Sequence, residues 1–175
     1  MKKIDYFWNR LYYSIYCYHR CTQFYIHKIV WSAIKLSFSI FYQHDTSKEM
    51  KLDKKEKYVI NSLTDKRLST IIMISDTSIL ALTMLLVWGV MNCLTNIIPF
   101  LSISSISFLS FVIISGIPSL AINHILIWRK ERYLKYFNQF EHETKKERKK
   151  WMLITLLCII SIGSFFILSF SVLII

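Results

Sequence analysis

Asp76 has the strongest claim to chemistry in this chain, because it is a lone carboxylate inside a long apolar run. It stands in the string Ser75-Asp76-Thr77-Ser78. An ionisable group at membrane depth faces a bundle interior or water, and it marks an ion or proton path by default. Asn123 and His124 lie in the next apolar run. Counting inward from Arg67 and Arg129 puts Asp76 about 13 Å deep and His124 about 7 Å deep, at about 1.5 Å per residue. A direct pair needs the span boundaries to slide; Ser119 with a water is the other link. Histidine titrates near neutral pH, so the pair would sense protons or ions. The plainer reading, and the favoured one, is a polar clamp that holds two helices together.

Two serine stripes accompany this cluster. Ser104, Ser115, Ser119 and Asn123 fall near one face of the second apolar run, and Ser161, Ser164 and Ser171 near one face of the third. They read either as a polar conduit or as helix packing, since small residues let helices approach and hydroxyls bond across. Packing is favoured because no ring of charge accompanies them.

Cys17, His19, Cys21 and His27 are close in sequence, and Cys17 and Cys21 share a helical face. Zinc chemistry wants a recognisable ligand spacing, and this one matches no finger pattern. No metal or other cofactor is expected. Cys93 and Cys158 suggest no disulfide framework with them.

Catalysis is not expected either. The chain has no HExxH, no GxSxG and no paired carboxylates. Its three glycines, Gly89, Gly116 and Gly163, all lie in apolar runs. A phosphate-cradling loop needs glycines in a strand-to-helix turn, which excludes P-loop and dinucleotide-binding readings.

The elements that position these residues are membrane spans. Residues 151–175 and 97–128 contain no Lys, Arg, Asp or Glu, and residues 68–94 contain only Asp76. A hydrocarbon core of about 30 Å takes about 20 apolar residues of helix, so each run is long enough. Pro99 suits the first turn of the second span. Pro118 should kink it near Gly116. The short uncharged turn over residues 92–99 makes the first two spans an antiparallel hairpin.

Residues 1–68 carry 13 lysines and arginines and residues 129–150 carry nine, together all 22 in the chain. A three-span path puts both segments on one side, which the positive-inside rule makes cytoplasmic, with the C-terminus outside. Trp128 and Trp151 bracket the second basic segment as interfacial anchors. That segment has neither Gly nor Pro, and Tyr133, Phe137 and Phe140 recur at helical spacing. The second span is therefore expected to run on into an amphipathic helix. Thr144 and Glu147 read as a capping box that starts the last helix. The result is a protruding helical hairpin over 129–150. Its Arg129, Lys130, Arg132, Lys145, Lys146, Arg148, Lys149 and Lys150 suit anionic lipid head groups or an acidic protein partner. Nucleic acid is disfavoured because four glutamates interrupt the segment.

Residues 1–45 hold eight tyrosines and tryptophans between Tyr6 and Trp31, the type found at membrane interfaces. From Phe24 to Tyr42, Lys28, Ser32, Lys35 and Ser39 share one face, with Ile26, Ile29, Val30, Ala33, Leu36, Ser37 and Ile40 mainly on the other. That is an in-plane amphipathic helix. A fourth span is the alternative, at about 2.5–3.5 kcal/mol for each central lysine. Residues 46–67 are a charged connector with Thr46 and Glu49 as a second capping box. The N-terminal Lys2 and Lys3 are followed by Asp5, Asn9 and Arg10 rather than a clean apolar core, so an uncleaved N-terminus is expected.

The expected fold is all-α: three spans, an N-terminal interfacial segment over 1–45, the connector, and a transmembrane domain over 68–175. Abundant Ile, Lys, Tyr and Phe with little Ala and Gly point to an AT-rich bacterial or phage genome. The expected role is a non-catalytic inner-membrane protein that acts as an accessory subunit or homo-oligomer. A membrane-perturbing effector and an ion or proton conduit through Asp76 are the alternatives.

Overall fold

A computed structural model describes residues 2–41, 46–67, 69–97 and 108–171. The expectations for Leu68, Pro99, Ser104 and the last four residues lie outside them, as do the side chains of Thr46, Glu49 and Ser171; the turn expected over 92–99 is helical as far as Ile97. The described chain is helical, with α1 (Lys2–Phe41), α2 (Thr46–Thr64), α3 (Thr70–Ile97), α4 (Phe108–Asn123), α5 (Arg132–Glu141) and α6 (Lys145–Ser171). No strand occurs among the described residues. Three stretches are long and apolar enough to cross a membrane: Thr70–Leu94, Val112–Glu141 and Lys145–Phe170.

The chain divides into two units, residues 1–15 with 76–175, and residues 16–75. These boundaries fall inside α1 and α3.

In the larger unit α3 and α4 run antiparallel. Asn123 bonds Thr83, and Trp128 further along bonds Asp76 further back. α6 runs parallel to α3, since Gly89 faces Phe165 and Asn92 bonds Ser169. Trp88 and Phe166 meet edge to face at 5.3 Å between them. These pairings are those of a three-span path. α4 continues as helix through Pro118.

The second span does not run on smoothly into α5, contrary to the sequence-based expectation. A wide π turn, His124–Trp128, and a 3-10 turn, Arg129–Glu131, intervene. Lys130 and Glu131 both take left-handed backbone, at φ 57° and 50°. Non-glycine residues there cost about 1–3 kcal/mol each. The bend is held because it lays the aromatic face of α5 on α1. Phe137 and Phe140 are fully buried, against Tyr12 and Tyr13 at ring distances of 5.0–5.4 Å. Full burial of a phenylalanine contributes about 1.5–3 kcal/mol, enough to offset the bend. The Thr144 hydroxyl accepts the Glu147 N–H at 3.3 Å and starts α6, as a capping threonine should.

At the start of α1, residues 9–15 are all less than about a tenth exposed within the chain, so this stretch packs into the core of the larger unit. Its rings find rings: Tyr6 and Phe7 both meet Trp151, at 6.2 Å.

In the smaller unit Lys35 of α1 pairs with Asp53 and Glu56 of α2, at 3.2 and 2.9 Å. Asp65 accepts the Arg67 N–H and closes the turn after α2. The Ser69 hydroxyl accepts the Ile72 N–H and caps α3.

The α3–α6 contact gives a prediction. A Cβ on Gly89 would lie 2.6 Å from the Phe165 ring, whereas one on Gly163 would meet nothing within 4 Å. Gly89→Leu should lower stability in detergent by about 1–3 kcal/mol through overpacking, and Gly163→Leu should change it little. Thermal melts of the two variants check this; equal shifts would contradict the packing.

Candidate functional site

Five short-range polar links converge on the first turns of α1. Each joins α1 to a different part of the larger unit, and all arise from one helical face plus its neighbours.

Asp76 is the acceptor at the centre. Its Oδ1 takes the Tyr12 hydroxyl at 2.7 Å and the Trp128 indole N–H at 2.8 Å. Tyr12 is completely buried, and Tyr133 and Phe137 wall its ring. Two neutral donors on one carboxylate oxygen hold its direction.

Asn123 is the second hub, also completely buried. Its Nδ2 donates to Thr83 Oγ1 and to the Ser119 carbonyl, both at 2.9 Å, and its Oδ1 accepts the Trp8 indole N–H at 3.1 Å. Thr83 in turn donates its hydroxyl hydrogen bond to the Ile79 carbonyl. One amide therefore ties α1, α3 and α4 with three of its four hydrogen-bonding sites.

Asn9 donates to the Leu126 carbonyl at 2.8 Å, inside the π turn. Arg132 reaches Asp5 at 3.4 Å. Arg10, 1% exposed, pairs with Glu143 in the turn before α6. Its guanidinium lies 4.3 Å from the Phe140 ring centre and 5.3 Å from that of Trp151. Guanidinium on ring faces is favourable where water is excluded.

The sequence-predicted residues divide three ways. Asp76, Ser119 and Asn123 lie at the helix junction, but Asp76 bonds Tyr12 and Trp128 rather than His124. His124 is exposed. The π turn explains the exchange. In an ideal α-helix residues five apart point about 140° apart; a π turn holds more residues and brings them toward one face. Asn123 and Trp128 thus both address α3. The Ser119 hydroxyl bonds back to the Ser115 carbonyl at 2.7 Å, and both serines are buried. Ser161 and Ser164 of α6 are exposed within the chain.

The basic set is mostly open. Arg129, Lys130, Lys145, Lys146, Lys149 and Lys150 are exposed. Arg132 is engaged with Asp5, and Arg148 donates to the Glu141 carbonyl at 3.3 Å. No disulfide joins the cysteines. Among the described residues no three His, Cys, Asp or Glu converge as metal ligands would.

Asp5, Trp8, Asn9, Arg10 and Tyr12 were not singled out from the sequence as site residues. Their signal is the spacing: Asp5, Trp8, Asn9 and Tyr12 lie at i, i+3, i+4 and i+7, a polar stripe on an otherwise aromatic helix. No protein-family model, curated protein or solved structure matches this chain at a significant level.

Asn123→Leu should strand the Trp8 and Thr83 partners and cost about 1–3 kcal/mol for each buried group left unmet. His124→Leu, one residue on, should be nearly neutral. Chemical unfolding in a mild detergent separates them; a larger loss in the His124 variant would contradict the site.

Proposed function

We propose that this chain is a small, non-catalytic, multi-pass protein of a bacterial inner membrane that works by association, as an accessory subunit or a homo-oligomer. One observation carries the reading: Asp76 and Asn123 make their hydrogen bonds within the chain, while the apolar helices and the basic hairpin stay open. Asp76 and Asn123 face protein donors and acceptors. By contrast, only 11% of the apolar window of α6 is buried within the chain. Leu156, Ile160 and Ile167 are each more than half exposed. Lipid covers such a face by default, and a second helix covers it where small side chains allow close approach. Gly163 and Ser164 offer that room.

The basic segments at 1–68 and 129–150 argue for a cytoplasmic N-terminus, with the last residues outside. On that side Lys145, Lys146, Lys149 and Lys150 are free of ion pairs among the described residues and suit anionic head groups or an acidic protein surface. The arrangement supports Asp76 as an anchor rather than a conduit, since both donors on it come from large, packed side chains. A membrane-perturbing effector remains the rival from another class, and it makes a different prediction for membrane potential.

A photo-crosslinking residue at Ile160 and another at Lys146, in native membranes, should each give adducts heavier than the monomer. Membrane potential and growth should stay unchanged on induction. Monomer alone at both positions would overturn association, and depolarisation would favour the effector.

A further inference from the structure

The second half of α1 is amphipathic, and its polar and apolar sides are treated differently. On the polar edge, Lys35 is clamped by two α2 carboxylates. The hydrogen bonds it donates to Glu56 first, and to Asp53 next, raise its pKa above the usual lysine value. His27 and Trp31 stack on that half of the helix at 5.5 Å, each partly buried. The opposite side is bare. Tyr18, Tyr25, Ile29 and Leu36 recur at spacings of seven, four and seven, and are 62, 69, 54 and 66% exposed. Ile26 and Val30 flank them, about half exposed.

The serine and threonine hydroxyls on or beside this face bond to their own helix. Thr22 donates to the Tyr18 carbonyl, Ser32 to that of Lys28 and Ser37 to that of Ala33, at 2.8–3.0 Å. A hydroxyl met by its own helix backbone enters an apolar medium at low cost. Tyrosines are the residues that favour the boundary between hydrocarbon and head groups. Residues 16–75 carry ten lysines and arginines against five carboxylates, which complements an anionic surface. A second copy of the chain is a poorer cover. The seam 18-22-25-29-32-36 holds Thr22 and Ser32 where a paired helix wants branched apolar side chains, and each copy would bring an exposed Lys28 to it.

We propose that the open face of α1 between Tyr18 and Leu36 lies in the surface of an anionic bilayer. This rests on the reading that α3, α4 and α6 span that bilayer, so the surface is within reach of the same chain. Lipid takes the apolar side, and α2 takes the polar one.

The test uses the full chain with its four cysteines changed to serine, reconstituted in bilayers containing phosphatidylglycerol or phosphatidylcholine alone. Spin labels go on Ile29→Cys and Leu36→Cys, with Leu156→Cys in α6 and the exposed Asn61→Cys in α2 as references. In the anionic bilayer the Ile29 and Leu36 labels should favour oxygen over an aqueous nickel complex, at about 5–10 Å below the head groups. The Asn61 label should stay in water. In phosphatidylcholine alone the ratio of embedded to free label at Ile29 should fall roughly fivefold for each lysine that engages the surface. A water-exposed Ile29 beside a lipid-buried Leu156 overturns the proposal and leaves the spanning reading intact. Dipolar broadening at Ile29 means a second copy, and mid-bilayer depth means a fourth span; either overturns it. Equal burial in both lipids overturns the charge requirement. A water-exposed Leu156 removes the spanning reading itself, and the proposal with it.

Discussion

A carboxylate about two turns into an apolar helix must be solvated, neutralised or bonded. Asp76 is bonded, by a tyrosine from α1 and a tryptophan from the end of the second span. Each donor is itself fixed by what surrounds it. Tyr12 is enclosed by α5 rings, and Trp128 is aimed by the π turn. The single interaction therefore requires the bend at Lys130 and Glu131, the placement of α5 and the burial of the start of α1. Remove the carboxylate and both donors lose their acceptor in a region with little water to replace it.

The other polar links extend the same logic around the junction. Asn123 joins three helices by one amide, Asn9 satisfies a carbonyl in the π turn, and Arg10 pairs with Glu143 under aromatic rings. Buried ion pairs gain little over a well-packed apolar replacement, but they lose several kcal/mol when one partner is removed. Such groups specify an arrangement more than they strengthen it. That suits a junction where the chain must choose one docking of α1 among many apolar surfaces. It also turns Asp76 and Asn123 toward partners within the chain, so outward contacts fall to apolar helices and exposed lysines.

Much of this was legible in the sequence, for physical reasons that differ by element. The three long helices follow from apolar run length alone. The inward face of α5 follows from Tyr133, Phe137 and Phe140 at helical spacing, and the start of α6 from Thr144 and Glu147. The bend before α5 was not legible, because neither glycine nor proline marks it; the left-handed residues are lysine and glutamate, held there by packing. The burial of residues 9–15 was hidden because tyrosine, tryptophan and isolated polar residues read as an interface helix until their partners are known. Asp76 was found, but its partner was not. Depth counting pointed to His124, whereas the turn after Asn123 rotates Trp128 into place, and Tyr12 lies 64 residues away in sequence. A contact of that kind leaves no local periodicity to detect.

The most direct measurement is a double-mutant cycle between Tyr12→Phe and Asp76→Leu, read by reversible unfolding in detergent. If α1 is latched on Asp76, Tyr12→Phe costs about 1–3 kcal/mol in the parent chain, as for a buried hydrogen bond that loses one partner, and close to nothing once Asp76 is leucine. The same loss in both backgrounds would mean that Tyr12 and Asp76 act independently, and the junction described here would be wrong.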